Sequence, residues 1–464
     1  MTLDLQALVP EADTADMVTG VDHADRTAAR ALALLDQGDF AAASNACDPA
    51  IRALPLWHMP YFIKALALHG LGDCLTAVDL FLQSARCNPY FGAAYDNAAQ
   101  ICLDRGLRAQ ALEIALAMER HAPGQADNRF RIGSLYLLDG DYKTAQGWMD
   151  AGLNSPVPQR LSRMLDYGVV SRSRLELDRN QIAHLCNAGQ LHEDYQTVEL
   201  SFAQALRDYP EERTGTIAAD DWDLPDNILS RLAPYYRRML HLAPCPRLAG
   251  PAVNPALEIN SIVDAYFEKP EPFNYVVVDD LLTADAVAIL IRYFNLSTIW
   301  HNDSQKGRNY IGAYRDMGLM TPLVDQIIGE LQDTFDAIVG ALRLREIWAY
   351  RLVGGATAIG AHADFSETNI NVWLTPDAAN LRPGTGGLTL YEAQSPGDWG
   401  FKDYNDDPDK IAKRIANARK IDIPYRLNRA TIFNSAMFHA SQPTYFANGF
   451  TNNRINLTFL YGER

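Results

Sequence analysis

The chain has 464 residues, 48% of them hydrophobic, and carries a formal net charge of -16. That length exceeds one ordinary core, so two or more domains are expected, and the apolar content excludes a wholly disordered chain. The negative balance disfavours a phosphate-rich partner, because nucleic-acid binding rests on Lys and Arg neutralising phosphates; no nucleic-acid partner is expected.

The amino terminus, "MTLDLQALVPEADTADMVTG", has no basic region followed by an apolar core, and residues 1–21 read as a tail. No run is long and apolar enough for a membrane span, so a cytoplasmic protein with no membrane partner is expected. Six cysteines at 47, 74, 87, 102, 186 and 245 form no C-x-x-C pair and read as reduced thiols.

From about residue 22 the chain repeats. Gly38, Gly72, Gly106 and Gly140 are each 34 residues apart, and so are Ala43, Ala77, Ala111 and Ala145. Pro55, Pro89 and Pro123 keep the same step, as do the small residues Ala31, Ala65, Ala99 and Gly133. Gly suits a left-handed end to a first helix, small residues let two helices approach, and Pro suits the start of the next unit. The pattern resembles the tetratricopeptide repeat, so residues 22–155 are expected to form an α-solenoid. Residues 156–245 look helical but lose the register, and are expected to be additional or capping helices. The Pro-rich run "LAPCPRLAGPAVNP" reads as a linker, placed at 246–258.

The remaining residues, 259–464, change character. "NYVVVDDLL" reads as a strand and turn, "TADAVAILIRYF" as a helix, and "LVDQIIGELQDTFDAIVGAL" as one long amphipathic helix. Short strands follow: "EIWAYRLV", "INVWLT", "GGLTLYE", "RATIFNS" and "RINLTFLYG". Many short strands after helices imply an α+β domain around a sandwich or barrel. Residues 395–420 read as an insertion with a short helix, either a solvated decoration or a lid.

The triplet His-x-Asp occurs at His23/Asp25, His192/Asp194 and His362/Asp364. The first is expected at the start of the first repeat helix and the second within a helix, where positions i and i+2 diverge. His362 and Asp364 lie in an extended segment, where i and i+2 face the same way. His439 follows another strand and can complete a set of two imidazoles and one carboxylate. Such a set leaves coordination positions open, as in the non-haem Fe(II) facial triad. His301, in "WHNDSQKGRNYIGAYRDMG", is expected at the surface or in a substrate loop. Alternation in "RINLTFLYG" puts Arg454, Asn456 and Thr458 on one face. An Arg inside a barrel requires an anion, either an internal carboxylate such as Asp364 or a bound one.

The order His-x-Asp, distal His, then Arg on the next strand resembles the Fe(II)/2-oxoglutarate-dependent oxygenases. "NYVVVDDLLTADAV" and "GTGGLTLYE" are similar to the prolyl-hydroxylase branch, and "RINLTF" to the corresponding strand of AlkB-type enzymes. Prolyl hydroxylases usually carry Lys where this chain has Arg454, and the second Arg of the AlkB-type pattern is replaced by Leu460, so neither substrate carries over. The resemblance implies a multidomain chain: a solenoid followed by an α+β domain with a double-stranded β-helix (jelly-roll or cupin-like) core. It implies Fe(II) on His362, Asp364 and His439, with 2-oxoglutarate and O2 as cosubstrates. Arg454 would anchor 2-oxoglutarate, with Tyr350, Asn371 and Asn456 contributing to its pocket. Retention of Asp364 disfavours a halogenase.

The expected activity is hydroxylation of an unactivated C–H, with succinate and CO2 formed. A protein or peptide substrate recruited by the repeats is the first reading. The alternatives are a small metabolite, with the repeats serving assembly, and an interaction scaffold whose oxygenase domain is inactive. Substrate identity and oligomeric state are left open.

Overall fold

The computed structural model describes residues 14–155, 169–192, 194–209, 221–223, 230–232, 235–236, 238–302, 310–352 and 359–463. The expected tail therefore lies outside the described residues up to position 13, and helix α1 (Thr14–Asp36) already covers the rest of it. The chain divides into two compact units. The first holds the described residues through Ile132 and Ser155; the second holds Gly133–Asn154 and the described residues from 169 onward.

In the first unit, α1 is followed by α2 (Phe40–Ala53), α3 (His58–Gly70), α4 (Cys74–Cys87), α5 (Gly92–Asp104), α6 (Arg108–His121) and the start of α7 (Ala126–Leu138). The repeat glycines stand in the left-handed region, Gly38 at φ 76, Gly72 at φ 85 and Gly106 at φ 73. An L side chain there is strained, which accounts for Gly at the corner inside each of these repeats. The residue after Gly38 and after Gly72 is Asp, and each caps the next helix: Asp39 accepts from Ala42 N–H and Asp73 from Thr76 N–H. Ala31, Ala65, Ala99, Ala43, Ala77 and Ala111 are all fully buried where successive helices touch. The period of 34 read from the sequence is thus a helix-hairpin period.

The second unit takes in part of what the sequence assigns to the solenoid. Along α8 (Tyr142–Leu153), Tyr142, Gln146 and Asp150 share one face. Tyr142 Oη accepts from Cys245 N–H at 2.8 Å, Gln146 donates to Leu240 O at 2.9 Å, and Asp150 accepts from Arg238 Nε at 2.7 Å and Met239 N–H at 3.0 Å. Three polar side chains on α8 therefore capture the backbone of 239–245, and the last repeat helix joins the sheet-bearing unit. The Pro-rich run is correspondingly no free linker. Leu248 N–H donates to Gln326, and Ala252 and Val253 N–H both donate to Glu330.

Between these segments lie α9 (Arg172–Asn187) and α10 (Tyr195–Asp208), which pack around Leu175, Ile182, Val198 and Phe202. A short ladder joins β1 (Val169–Ser171) to β2 (Asp221–Asp223). The carboxy-terminal region carries β3 (Tyr275–Val278), β4 (Tyr310–Tyr314), β5 (Leu344–Leu352), β6 (Thr368–Trp373), β7 (Leu388–Gln394), β8 (Lys420–Ile423), β9 (Ala430–Asn434), β10 (Met437–Ser441) and β11 (Ile455–Tyr461). They form a six-stranded sheet ordered β3-β9-β6-β11-β5-β4 and a three-stranded sheet ordered β10-β7-β8, antiparallel throughout. Trp373, Leu388, Leu390, Ile423, Phe433 and Met437 pack together from both sheets.

The run expected as one long helix stops at Thr334 and continues as a π-helical turn, Asp336–Gly340. Strands β4, β8 and β10 are absent from the sequence-based expectation. β4 is interrupted by Gly312, β8 has only 4 residues, and β10 reads as a tail to β9. No helix among the described residues is long and apolar enough to cross a membrane.

Candidate metal centre

β9 ends at Asn434, and the chain turns immediately into β10, which carries His439. The segment before β6 runs alongside. His362 N–H donates to His439 O at 3.0 Å and His439 N–H to His362 O at 2.8 Å, an antiparallel pair that sets the two imidazoles side by side. Two residues on, Asp364 N–H donates to Ser435 O at 3.1 Å, and between them Ala363 N–H donates to Tyr404 O at 2.9 Å. The backbone of 362–364 is therefore pinned on both sides, and the i, i+2 relation puts His362 and Asp364 on one side of it.

The ligand atoms of His362, Asp364 and His439 lie within 4.8 Å of one another, the one such group of three found among the described residues. His439 Nε2 is 3.5 Å from Asp364 Oδ2, and His362 Nε2 is 3.9 Å from Asp364 Oδ1. The opposite ring nitrogens are occupied: His362 Nδ1 lies 2.9 Å from Gly360 O and His439 Nδ1 3.2 Å from Met437 O. Each Nδ1–H donates to a carbonyl, which leaves each Nε2 lone pair facing the carboxylate. Burial, with His362 adding repulsion, pulls the His439 pKa down to about 4, so its imidazole stays neutral and able to bind a metal. Asn369 Nδ2 donates to Asp364 Oδ2 at 2.7 Å and orients the carboxylate. This donor set fits a divalent transition metal with open positions.

The three side chains open onto a cavity of about 430 Å³ whose lining also includes Arg454, Asn456, Thr458, Tyr350, Asn369 and Asn371. Arg454 is 2% exposed. Its Nε donates to Gly386 O at 2.6 Å and its Nη1 to Asn456 Oδ1 at 3.3 Å, so no carboxylate among the described residues partners it and the alternative of an ion pair with Asp364 is not realised. Burial lowers its pKa to about 10, which leaves it cationic at neutral pH. Asn371 Nδ2 donates to Thr458 Oγ1 at 3.1 Å while its Oδ1 has no partner. Tyr350 Oη sits 3.1 Å from Tyr314 Oη, and burial holds the Tyr350 phenol protonated well above its ordinary range.

The decoy triplets differ from their expected settings. His23 and Asp25 lie inside α1 rather than at its start. His192 and Asp194 are not in a helix: α9 ends before Gly189, at φ 66, and the pair precedes α10. There His192 Nδ1 meets Asp194 Oδ2 at 3.0 Å, both largely exposed and without a third ligand among the described residues. His301 is buried, not at the surface: its N–H and that of Asn302 both donate to Gly312 O of β4, which ties the segment to that strand. It does not line the cavity. In the insertion, helices Phe401–Asn405 and Pro408–Ile415 pack through Tyr404 and Ile411 against Ala363 and Phe438, and Phe401 and Asn405 reach the cavity.

Asn369, which partners Asp364, and Tyr310 and Tyr314 of β4, which wall the cavity, lie outside the site residues expected from sequence. Asn369 was detectable as an inward position two residues before Asn371. The tyrosines were hidden in a segment read as loop.

No protein-family model and no curated protein matches the chain. Among solved structures, the non-heme alpha ketoglutarate dependent epimerase SnoN from nogalamycin biosynthesis aligns at 17% identity and TM-score 0.32, covering 45% of this chain and 84% of that one. MamA from Desulfovibrio magneticus RS-1 aligns at 16% identity and TM-score 0.27, covering 41% and 98%. YrrB, a TPR protein with an unusual peptide-binding site, aligns at 13% identity and TM-score 0.27, covering 43% and 93%. At these scores, assignment of the site rests on its own geometry.

Proposed function

We propose that the chain is an Fe(II)- and 2-oxoglutarate-dependent dioxygenase that hydroxylates an unactivated C–H of a protein or peptide substrate recruited through the repeats. The carrying observation is one cavity with a His-Asp-His set facing it and, in the same lining, a buried Arg454 with no acidic partner. A desolvated guanidinium without a carboxylate is costly unless an anion completes it, and the distal carboxylate of 2-oxoglutarate is such an anion. The strand path supports a double-stranded β-helix. After β5 in the large sheet the chain passes to the 362 segment beside β10, returns as β6, crosses to β7 and β8, returns as β9, crosses to β10 and returns as β11.

The bound iron would supply the oxidising chemistry, with 2-oxoglutarate converted to succinate and CO2 by O2. The chain's own residues present, orient and shield. Gly360 O and Met437 O fix the imidazole tautomers, and Asn369 sets the carboxylate of Asp364. Arg454 and Asn456 meet the cosubstrate, and the Tyr350 phenol stays protonated as a donor. The test is anaerobic loading of the full chain with Fe(II), followed by addition of 2-oxoglutarate and air. One Fe(II) per chain and slow succinate formation without substrate are expected. Failure to bind either would defeat the proposal.

A further inference from the structure

We infer that residues 399–415, which hold the helices Phe401–Asn405 and Pro408–Ile415 between β7 and β8, are a clamp that positions the metal set from behind, so that docking of this element and binding of the metal reinforce each other. This rests on His362, Asp364 and His439 being metal ligands, and it gives a role to a segment that sequence leaves as a decoration or a lid. Sheet pairing alone holds the ligand segments at few points. The 362–364 segment joins β10 through the bridge between His362 and His439, and β10 is the terminal strand of the three-stranded sheet. On its other side β10 shifts register against β7 between Met437 and His439, so the ladder is irregular next to a ligand.

The clamp takes the side of these segments that the cavity does not. Alternation along extended backbone turns neighbours of a ligand away from it. His362, Asp364 and His439 line the cavity, while Ala361, Ala363 and Phe438 pack with Trp399, Tyr404 and Ile411 of the clamp. Ala363 and Phe438 are fully buried there, and the Trp399 ring stands edge-on to Phe438 at 6.2 Å between centroids. The free edge of the backbone is used as well. Ala363 N–H donates to Tyr404 O at 2.9 Å, and Asn405 Nδ2 donates to Ala363 O at 3.4 Å. Both backbone groups of the residue between two ligands are thus bonded to one helical turn, which covers an edge that would otherwise be bare.

The clamp is also tied within itself and to the sheet. Lys410 Nζ lies 2.8 Å from Asp403 Oδ1 and 4.6 Å from the Trp399 ring centroid, and Arg414 Nε donates to Gln394 O of β7 at 3.0 Å. From the same turn, Phe401 and Asn405 reach round to the cavity. A lid that swung away would strip Ala363 of both bonds and uncover Phe438, so this element does not open without loosening the ligands it backs. Two events that favour one packed state favour each other by the same factor, so a metal that fixes His362 and His439 also tightens the clamp.

The experiment uses the full chain, stripped of metal and then titrated with Mn(II), with affinity read by calorimetry and amide hydrogen exchange by mass spectrometry. Mn(II) is expected to slow exchange of peptides within 399–415 at least about fivefold and to leave those of α9 and α10 unchanged. Ile411→Ala, which hollows the packing behind Ala363 and Phe438, should weaken Mn(II) binding about tenfold, and Ile411→Leu should stay within about threefold of the unaltered chain. Ile182→Ala removes the same side chain, also 2% exposed, from the core of α9 and α10, and should leave Mn(II) affinity unchanged. The exchange measurement on the unaltered chain carries the test should Ile411→Ala not fold. Mn(II) binding without slower exchange in 399–415, undiminished affinity in Ile411→Ala, or an equal loss in Ile182→Ala would each overturn the inference. Absence of Mn(II) binding to the unaltered chain would instead overturn the reading of the three residues as metal ligands.

Discussion

Two buried arginines on neighbouring strands show how the two faces of one sheet divide their labour. Arg351 of β5 is opposite Ile455, directly beside Arg454, yet it projects to the other face. Arg351 is fully buried and Arg454 is 2% exposed, and neither meets a carboxylate. Arg351 donates to Phe450 O, Phe294 O and Asn295 Oδ1 at 2.6–2.9 Å, and its guanidinium lies 4.0 Å from the Phe450 ring centroid and 4.7 Å from that of Trp300. Arg454 has one carbonyl and one amide oxygen, and the rest of its fork faces the cavity. A buried cation held by three fixed acceptors, with only its Nε unpartnered, is part of the scaffold. One left partly unsaturated beside a cavity is a socket for an anion.

Substitutions at four positions break or sharpen this contrast. The largest effect is expected at the inner face, where Asp364→Ala should cut Fe(II) affinity and succinate formation by more than about 100-fold, beyond the range typical of groups behind a ligand. Iron content and turnover measure it. On the outer face, Arg351→Met removes three buried charge-assisted hydrogen bonds, to Phe450 O, Phe294 O and Asn295 Oδ1, and should lower unfolding free energy by about 3 kcal/mol or more, read from urea denaturation, with Fe(II) content of the folded protein unchanged. Arg454→Met should do the reverse, leaving stability equal or slightly higher because a desolvated charge is gone. Its 2-oxoglutarate affinity should fall about 10- to 100-fold by calorimetry, with Arg454→Lys between the two because the fork is lost. Equal destabilisation by both Met substitutions would erase the distinction. Asn369→Ala, acting only through Asp364, should weaken Mn(II) binding about tenfold with 2-oxoglutarate affinity nearly intact.

The repeats were legible because their signals are local. Gly at the corner inside each repeat, Asp after three of those four glycines and Ala at the close approaches serve helix pairs within one 34-residue period. The inward row Arg454, Asn456, Thr458 was legible for a similar reason, since strand alternation has a period of two. What stayed hidden depends on long-range pairing. Asn369 holds Asp364 only because β6 places it there, and Tyr310 and Tyr314 face the cavity only because β4 pairs with β5. The decoy at His192 was misplaced because the end of α9 shifts it out of a helix.

By itself, the sequence determined the periodic helical region, a sheet-bearing region behind it, and the residue types from which a metal site and an anion socket can be made. Each of these is encoded in spacing along the chain, where backbone geometry alone relates neighbours. Tertiary structure decided that the last repeat helix joins the sheet-bearing unit, and that Arg454 opens onto the metal cavity with no acid among the described residues as partner while Arg351 is held by three fixed acceptors on the other face. Those outcomes turn on which distant strands pair and in what register, and a shift of one residue would turn every one of these side chains to the opposite face.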